Sequence, residues 1–358
     1  MSYQIPNLPL QIDLETKQIL RYAISANRKL AELKGIAKTI PNEEILINTL
    51  TLREAKDSSE VEGIITTHDE LYRAVVDKRY INKSINAKEV NNYRLALKHG
   101  FALIRKDGLL TNNRIKEIQN ILEPNFPDFR KNKVNLINEN TGAVIYTPPN
   151  IASDIEKYMS NLEKFINDDA ISDLDHLIKM AIIHHQFESI HPFLDGNGRT
   201  GRMINILYLV VKGLLDIPIL YLSRYFIQNR EEYYVLLKNV QDFNNWEYWI
   251  LFVLKGIEET AENTINLIKA ISCLIIETKP KIRSILGMKY SHEILNVIFS
   301  YPYTTIDFLQ DSLNISRPTS TKYLNILSSE KILLKGKKGN FNYYVNKPLY
   351  DLLLGHNK

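Results

Sequence analysis

Apolar residues recur at mixed three- and four-residue spacing over 13–34 and 43–60, as in helices with one buried face. Pro41-Asn42 before Glu43 and Glu44 predicts a helix start, because Asn42 can cap and the acids suit the positive end. Gly63 stops that helix, whose last turn holds Glu62. Residues 86–106 and 111–122 predict two more helices. The pattern then changes. KVNLINENTGAVIY carries β-type runs at 134–137 and 143–146 around Asn140-Thr141-Gly142, which predicts a hairpin closed by Pro148-Pro149. Asp154 opens another helical stretch, with helices at about 155–167, 173–190, 198–213 and 229–239 and one from Asn245 into the 260s. The most apolar run, 203–222, is interrupted by Asn205, Lys212, Asp216 and Pro218, so it reads as two core helices and not as a membrane span.

The last ninety residues differ. They read as helices at 291–300, 304–313 and 317–329, then strands at 331–335 and 341–345, with Gly336 and Gly339-Asn340 in the turn. From Ile271 onward there are twelve Lys and Arg against six Asp and Glu, whereas the whole chain of 358 residues carries only +4. The overall charge therefore does not demand a nucleic acid, and the basic balance is local. Hydrophobic residues at 44% leave ample material for a core. One cysteine, Cys273, excludes an internal disulfide and fits a reducing compartment; in the run ISCLII it is expected to be a small buried hydrophobe. The opening MSYQIPNLPLQIDLETKQIL lacks a basic start followed by an apolar core, so no secretory leader is expected and a cytoplasmic location is.

The chemistry concentrates in His191-Pro192-Phe193-Leu194-Asp195-Gly196-Asn197-Gly198-Arg199-Thr200-Gly201-Arg202. An apolar helix ends at the His-Pro step, because Pro192 disfavours a helical conformation just before it. Two glycines then precede a new amphipathic helix, where the backbone can approach a ligand and free N–H groups bind anions. Asn197 adds a side-chain donor. Arg199 and Arg202 lie three apart on one face and suit phosphate oxygens. Asp195 is a hard oxygen ligand that suits magnesium held jointly with phosphates. His191 can take a proton near neutral pH. Together these groups suit transfer chemistry on a polyphosphate.

These residues resemble the Fic family signature, HxFx-Asp/Glu-GNGRxxR, at every fixed position. Membership implies a helical catalytic core with a β-hairpin flap. It implies an ATP-dependent protein adenylyltransferase in which His191 deprotonates a target hydroxyl, AMP is transferred and pyrophosphate leaves. Asp195 would hold Mg2+, and Gly196, Asn197 and Gly198, with Thr200 and Gly201 in the same turn, would cradle phosphate. Arg199 and Arg202 would bind the terminal phosphates. Relatives that phosphorylate their targets carry lysine where this chain has Gly198, so adenylylation is expected. Ser58-Ser59-Glu60-Val61-Glu62-Gly63 resembles the family's inhibitory helix, with Ser58 and Glu62 as its motif residues and Arg202 as the partner of Glu62. The opening from NLPLQ to THDELY resembles the N-terminal region of that class. The hairpin resembles the flap that docks a target segment, with Val144, Ile145 and Tyr146 lining the groove. Tyr233 and Tyr234 resemble the paired tyrosines near adenine, with Gln241 a later turn. The resemblance covers about residues 4–255.

The expected architecture is mainly all-α, with an N-terminal helical region over 1–90, a Fic core over 91–270 and a winged-helix-like domain over 271–358. In that last domain Arg317, Lys322, Lys337 and Lys338 could meet phosphates, and the basic residues at 335–338 are equally read as a solvated hairpin turn. Competing readings exist for several residues. His184, Glu188 and His191 share a helical face, and Glu188-x-x-His191 has the spacing of a di-iron site, but no second Glu-x-x-His exists, so His184, His185 and Glu188 are expected to support packing. Glu62 can be a solvated helix-end acid. Tyr233 and Tyr234 are equally read as core aromatics. Two other functions stay open: removal of AMP from a modified protein, and a nucleotide-sensing DNA-binding regulator. Expected partners are ATP and a target protein, with self-modification included. DNA and a second copy of the chain remain open, and no membrane is expected.

Overall fold

The computed structural model describes residues 3–77, 84–137, 142–287, 292–338 and 341–355. It is mainly helical. In chain order the helices are α1 (Lys17–Ala37), α2 (Glu43–Val61), α3 (His68–Val76), α4 (Ile85–Asp107) and α5 (Asn112–Leu122). Strands β1 (Leu136–Ile137) and β2 (Val144–Tyr146) precede α6 (Ala152–Asn167), a 3-10 turn at Asp169–Ile171, α7 (His176–Ile190) and α8 (Asn197–Val211). Helices α9 (Ser223–Gln228), α10 (Arg230–Phe243) and α11 (Trp246–Leu286) follow. The chain ends with α12 (His292–Ser300), β3 (Tyr303–Thr304), α13 (Ile306–Leu313), α14 (Arg317–Ser329), β4 (Leu334–Lys338), β5 (Phe341–Val345) and α15 (Lys347–Leu354). No helix among the described residues is long and apolar enough to cross a membrane.

The residues pack into two compact units. One comprises Met1–Ala31, Asp57–Ile64 and Asn92–Ala261. Its centre is the pair α7 and α8. Almost every side chain of both is buried, and a helix that is apolar all round belongs inside a protein. Two glycines allow close approach in this unit. A Cβ at Gly201 would lie 2.6 Å from Glu188 Oε1 on α7, and one at Gly100 would lie 2.7 Å from Ile118 on α5. Asp175 caps α7 by accepting from the Leu177 N–H, and Thr111 caps α5 by accepting from the Arg114 N–H. The hairpin pairs Leu136 with Tyr146 and Ile137 with Val144, with a bulge between. Its expected turn residues Asn140 and Thr141 lie outside the described residues.

The other unit comprises Glu32–Lys56, Ile65–Asn91 and Glu262–Lys358. Its sheet has the order β3-β5-β4, all antiparallel, behind α12, α13 and α14, the arrangement of a winged helix. Helix α3 packs on this sheet. Asp69 accepts from the Tyr303 hydroxyl, and the Arg73 guanidinium lies over the rings of Tyr303 and Tyr343. Arg317 is paired with Asp307, and the Lys335 ammonium donates to Asn325 Oδ1 at 2.9 Å. The side chain of Lys338 lies outside the described residues, while Lys322 and Lys337 are exposed.

Several expectations need correction. The run 203–222 contains one helix, because Gly213 takes a left-handed φ of 65° that ends α8 ahead of Pro218. The helix from 245 runs on to Leu286, since buried Ile265, Ile268, Ile271 and Ile275 keep the helical spacing beyond the 260s. Gly336 is not in the turn; it sits within β4, opposite Tyr343. Cys273 is exposed, on the outer side of a helix whose buried face carries Ile271 and Ile275. Helices α3, α9 and α15 and strand β3 were not expected. All are short, although Thr67-x-x-Glu70 is a capping box written in the sequence before α3.

Candidate active site

The site lies where α7 ends and α8 begins. His191 follows the last helical residue of α7 in a left-handed conformation, φ 49° and ψ 59°, which a non-glycine residue adopts only when held there. Its N–H still donates to the Phe187 carbonyl at 2.9 Å. Burial first, then the Arg130 charge, push the imidazole down to about 4, against the raising influence of the Glu62 carboxylate, the Glu188 carbonyl and Asp195. The imidazole is therefore neutral at pH 7 and free to accept a proton.

The loop closes by local bonds. Asn197 Oδ1 accepts from the Phe193 N–H at 2.8 Å, and its Nδ2 donates to the Phe193 carbonyl at 2.9 Å. Asn197 thus folds the loop, and both ends of its amide are engaged there. Gly196 has φ 75°, a conformation suited to glycine. Its N–H donates to Asp195 Oδ1 at 2.6 Å, while the rest of the Asp195 side chain stands in solvent at 59% exposure. Gln119 on α5 supports the loop from below. Its Nε2 donates to the Asp195 carbonyl at 2.9 Å, and its Oε1 accepts from the Thr200 hydroxyl at 2.7 Å. Thr200 and Gly201 are buried in the first turns of α8.

Both signature arginines are buried and engaged. Arg199 Nη2 lies 2.8 Å from Glu123 Oε1 and 3.6 Å from Asp195 Oδ1. Arg202 donates from Nε to Ser58 Oγ at 2.7 Å, and from Nη2 to the Ser58 carbonyl and to Glu62 Oε1, each at 2.8 Å. Burial works against the Arg202 charge, and the Glu62 carboxylate together with Tyr233, Tyr93 and Glu188 more than restores it. Glu62 lies one residue beyond α2, just before Gly63 turns the chain with φ 81°. The turn brings the carboxylate over α8, where a Cβ on Gly198 would meet Glu62 Oε1 at 2.2 Å. Beneath them, burial pushes Glu188 up to about 7, opposed by Arg202 and aided by Glu62.

The paired tyrosines separate. Tyr233 lies in the core among Phe226, Trp249 and Phe252, with its hydroxyl 2.9 Å from His184 Nε2. It presents no open face for a base, whereas Tyr234 is 44% exposed. Gln241 donates to Ser189 Oγ at 3.3 Å. His185 Nε2 lies 3.2 Å from the Leu237 carbonyl and packs its ring on Trp246. On the hairpin, Val144 and Ile145 are exposed, and the Tyr146 hydroxyl donates to the Ser189 carbonyl at 2.8 Å. Sequence reasoning missed Gln119, Glu123 and Arg130. The first shows only as a polar residue on the apolar face of α5, and the other two carry no pattern.

The Fic/DOC family N-terminal model matches residues 20–102, and the Fic/DOC family model matches residues 109–209, together just over half of the chain. The chain belongs to the Fic/DOC family. A third model, the C-terminal domain of protein adenylyltransferase SoFic-like proteins, matches residues 274–349. Among Fic relatives, a probable protein adenylyltransferase of Aquifex aeolicus is 31% identical over 207 residues, 56% of this chain and 58% of that protein. Protein adenylyltransferase Fic of Drosophila erecta is 29% identical over 53% of this chain and 34% of that protein. The chain thus matches little more than half of one relative and a third of the other. The Fic fold itself is shared with a Fic family protein of Desulfovibrio desulfuricans G20, at TM-score 0.58 and 17% identity over 94% of this chain and 97% of that one. It is shared also with Fic-1 of Caenorhabditis elegans, at TM-score 0.55 and 19% identity over 70% and 74%.

Proposed function

We propose that this chain transfers AMP from ATP to a hydroxyl side chain of a protein and that Glu62 restrains it. The observation that carries the reading is a neutral His191 beside a glycine-bearing helix start whose second arginine, Arg202, is held by Glu62. The target hydroxyl oxygen forms a bond to the α-phosphorus, the bond from that phosphorus to the bridging oxygen breaks, and pyrophosphate leaves. The hydroxyl proton passes to the His191 imidazole. The first-turn N–H groups of α8 and the two guanidiniums favour the polyphosphate charge. Asp195 fits a magnesium ion shared with phosphate, because its carboxylate is largely open to solvent at the same helix start. When bound, the ion neutralises phosphate charge. While Glu62 holds Arg202, a terminal phosphate lacks that partner and the nucleotide is not aligned for attack. The exposed strand residues Val144 and Ile145 suit docking of an extended target segment.

The test is incubation with α-labelled ATP and magnesium. Label should appear on the protein itself, more strongly in Glu62→Gly and not in His191→Ala. Equal labelling in His191→Ala would overturn the assigned base, and absence of label in Glu62→Gly would overturn the transfer reaction.

A further inference from the structure

The buried guanidinium of Arg130, just ahead of the hairpin, has a set of bonds that the reaction scheme leaves unused. Its Nε donates to the His191 carbonyl at 2.7 Å, and Nη2 donates to the Ile190 carbonyl at 3.4 Å. Nη2 also donates to the Pro149 carbonyl at 2.7 Å, and Nη1 to the Asn132 carbonyl at 2.9 Å. The Arg130 backbone N–H donates to the Pro192 carbonyl at 2.8 Å. The acceptors fall into two groups. Ile190, His191 and Pro192 form the end of α7 and the step that carries the imidazole. Asn132 and Pro149 bracket the β1–β2 hairpin on either side.

We propose that Arg130 is a positioning residue that fastens the hairpin to the His191 step, so that the target-docking strand and the base move as one piece. The proposal rests on the functional reading above. Its physics is geometric. The last carbonyls of a helix have no partner within it, and a cation there complements the helix dipole. Arginine offers five donors in a rigid planar fork and no acceptor. Only such a fork reaches carbonyls on both sides at once; a lysine ammonium is a point donor on a flexible stem. The same bonds hold the left-handed conformation at His191, which is unfavourable for a residue with a Cβ. The groups that face the imidazole are Arg130, Glu62 after α2, the Glu188 carbonyl of α7 and Asp195 of the loop. Burial is the leading cause of the lowered imidazole value and the Arg130 charge the second, so removal of that charge shifts the ring upward.

The test compares Arg130→Lys and Arg130→Gln in the Glu62→Gly background. Self-labelling from α-labelled ATP should fall by about tenfold or more in kcat, with the KM for ATP changed less than about threefold. Hydrogen exchange should quicken together at 142–150 and 190–195 and stay unchanged along the middle of α7. The His191 ring signal, assigned by its loss in His191→Gln, should titrate higher in Arg130→Gln than in Arg130→Lys, which keeps the charge. In the unmutated protein the Arg130 Nε–H should exchange at the same opening rate as the hairpin amides, a measurement that needs no variant to fold. Hairpin exchange unchanged in a folded Arg130→Lys, or an Arg130 Nε–H that opens independently of the hairpin, would overturn the coupling. Absence of AMP transfer in the Glu62→Gly parent would defeat the function instead, and exchange and titration would still decide the role of Arg130.

Discussion

The carboxylate of Glu62 occupies the space where a side chain on Gly198 would begin: a Cβ there would lie 2.2 Å from Glu62 Oε1 and 3.1 Å from Arg202 Nη1. A methyl at 198 would thus displace the Glu62 carboxylate from its present place beside Arg202. Gly198→Ala should therefore imitate Glu62→Gly. Gly198 is helical, so alanine adds no backbone strain. A charge-assisted bond contributes about 1.5–3 kcal/mol, so its loss should raise self-labelling roughly tenfold to a hundredfold. Labelling by α-labelled ATP at limiting time checks both variants; Gly198→Ala at the unmutated level would show that Glu62 finds another path to Arg202.

Removal of the base should be severe and specific. His191→Ala should lower AMP transfer by about 10²–10⁴ while ATP still binds in a Glu62→Gly background, as read by calorimetry. The pH dependence has a definite sign. With the imidazole held down to about 4, the basic form is already present above about pH 5, so the rate should show no inflection near the ordinary histidine value. A rate that climbs through pH 6.5 would place the titrating group elsewhere.

Stability should fall with acid. Burial holds His184 down to about 3 and, in each case as the leading cause, His185 and His191 down to about 4. The unfolded chain takes up these protons at higher pH than the folded one, so their contribution is full above about 6.5 and is lost as pH drops toward 4. Glu188 acts oppositely. Its value is raised to about 7, so its contribution is present below the ordinary glutamate range and lost as pH rises through about 7. Three imidazoles outweigh one carboxyl in the shared window. The urea midpoint should drop steadily between about pH 6.5 and 4.5, and His185→Gln should flatten that slope.

Gly201→Ala tests packing apart from chemistry. The new methyl would meet Glu188 Oε1 at 2.6 Å and Phe187 at 3.1 Å. Overpacking of this kind costs about 1–3 kcal/mol, which urea unfolding would report directly. An unchanged midpoint would mean that α7 and α8 can separate at no cost.

Much of this was readable beforehand, and for identifiable reasons. The His191–Arg202 run carries its chemistry in adjacent residues, and helix 317–329 carries Leu324 and Leu327 at helical spacing and a Ser316 cap. The contact of Glu62 with Arg202 stands where the two motifs pair it, although 140 residues separate them. What stayed hidden depends on distance in sequence without pattern. Glu123 on Arg199, Gln119 under Asp195 and Arg130 across the hairpin are single polar residues whose partners are backbone atoms or remote side chains. Tyr233 was ambiguous because an aromatic at helical spacing reads alike in a core and beside a base. Helices α3 and α15 escaped although α12 and α13, of the same nine and eight residues, were legible, so length is not the reason.

The three bonds on Arg202 are not equivalent, and this sets how the restraint can be lifted. Ser58 accepts two of them, through its hydroxyl and its carbonyl, and Glu62 accepts the third. Under the proposed restraint, release of Glu62 would leave Arg202 still bonded to Ser58, and the motion required would be the swing of one partly solvated side chain, on the timescale of rotamer exchange.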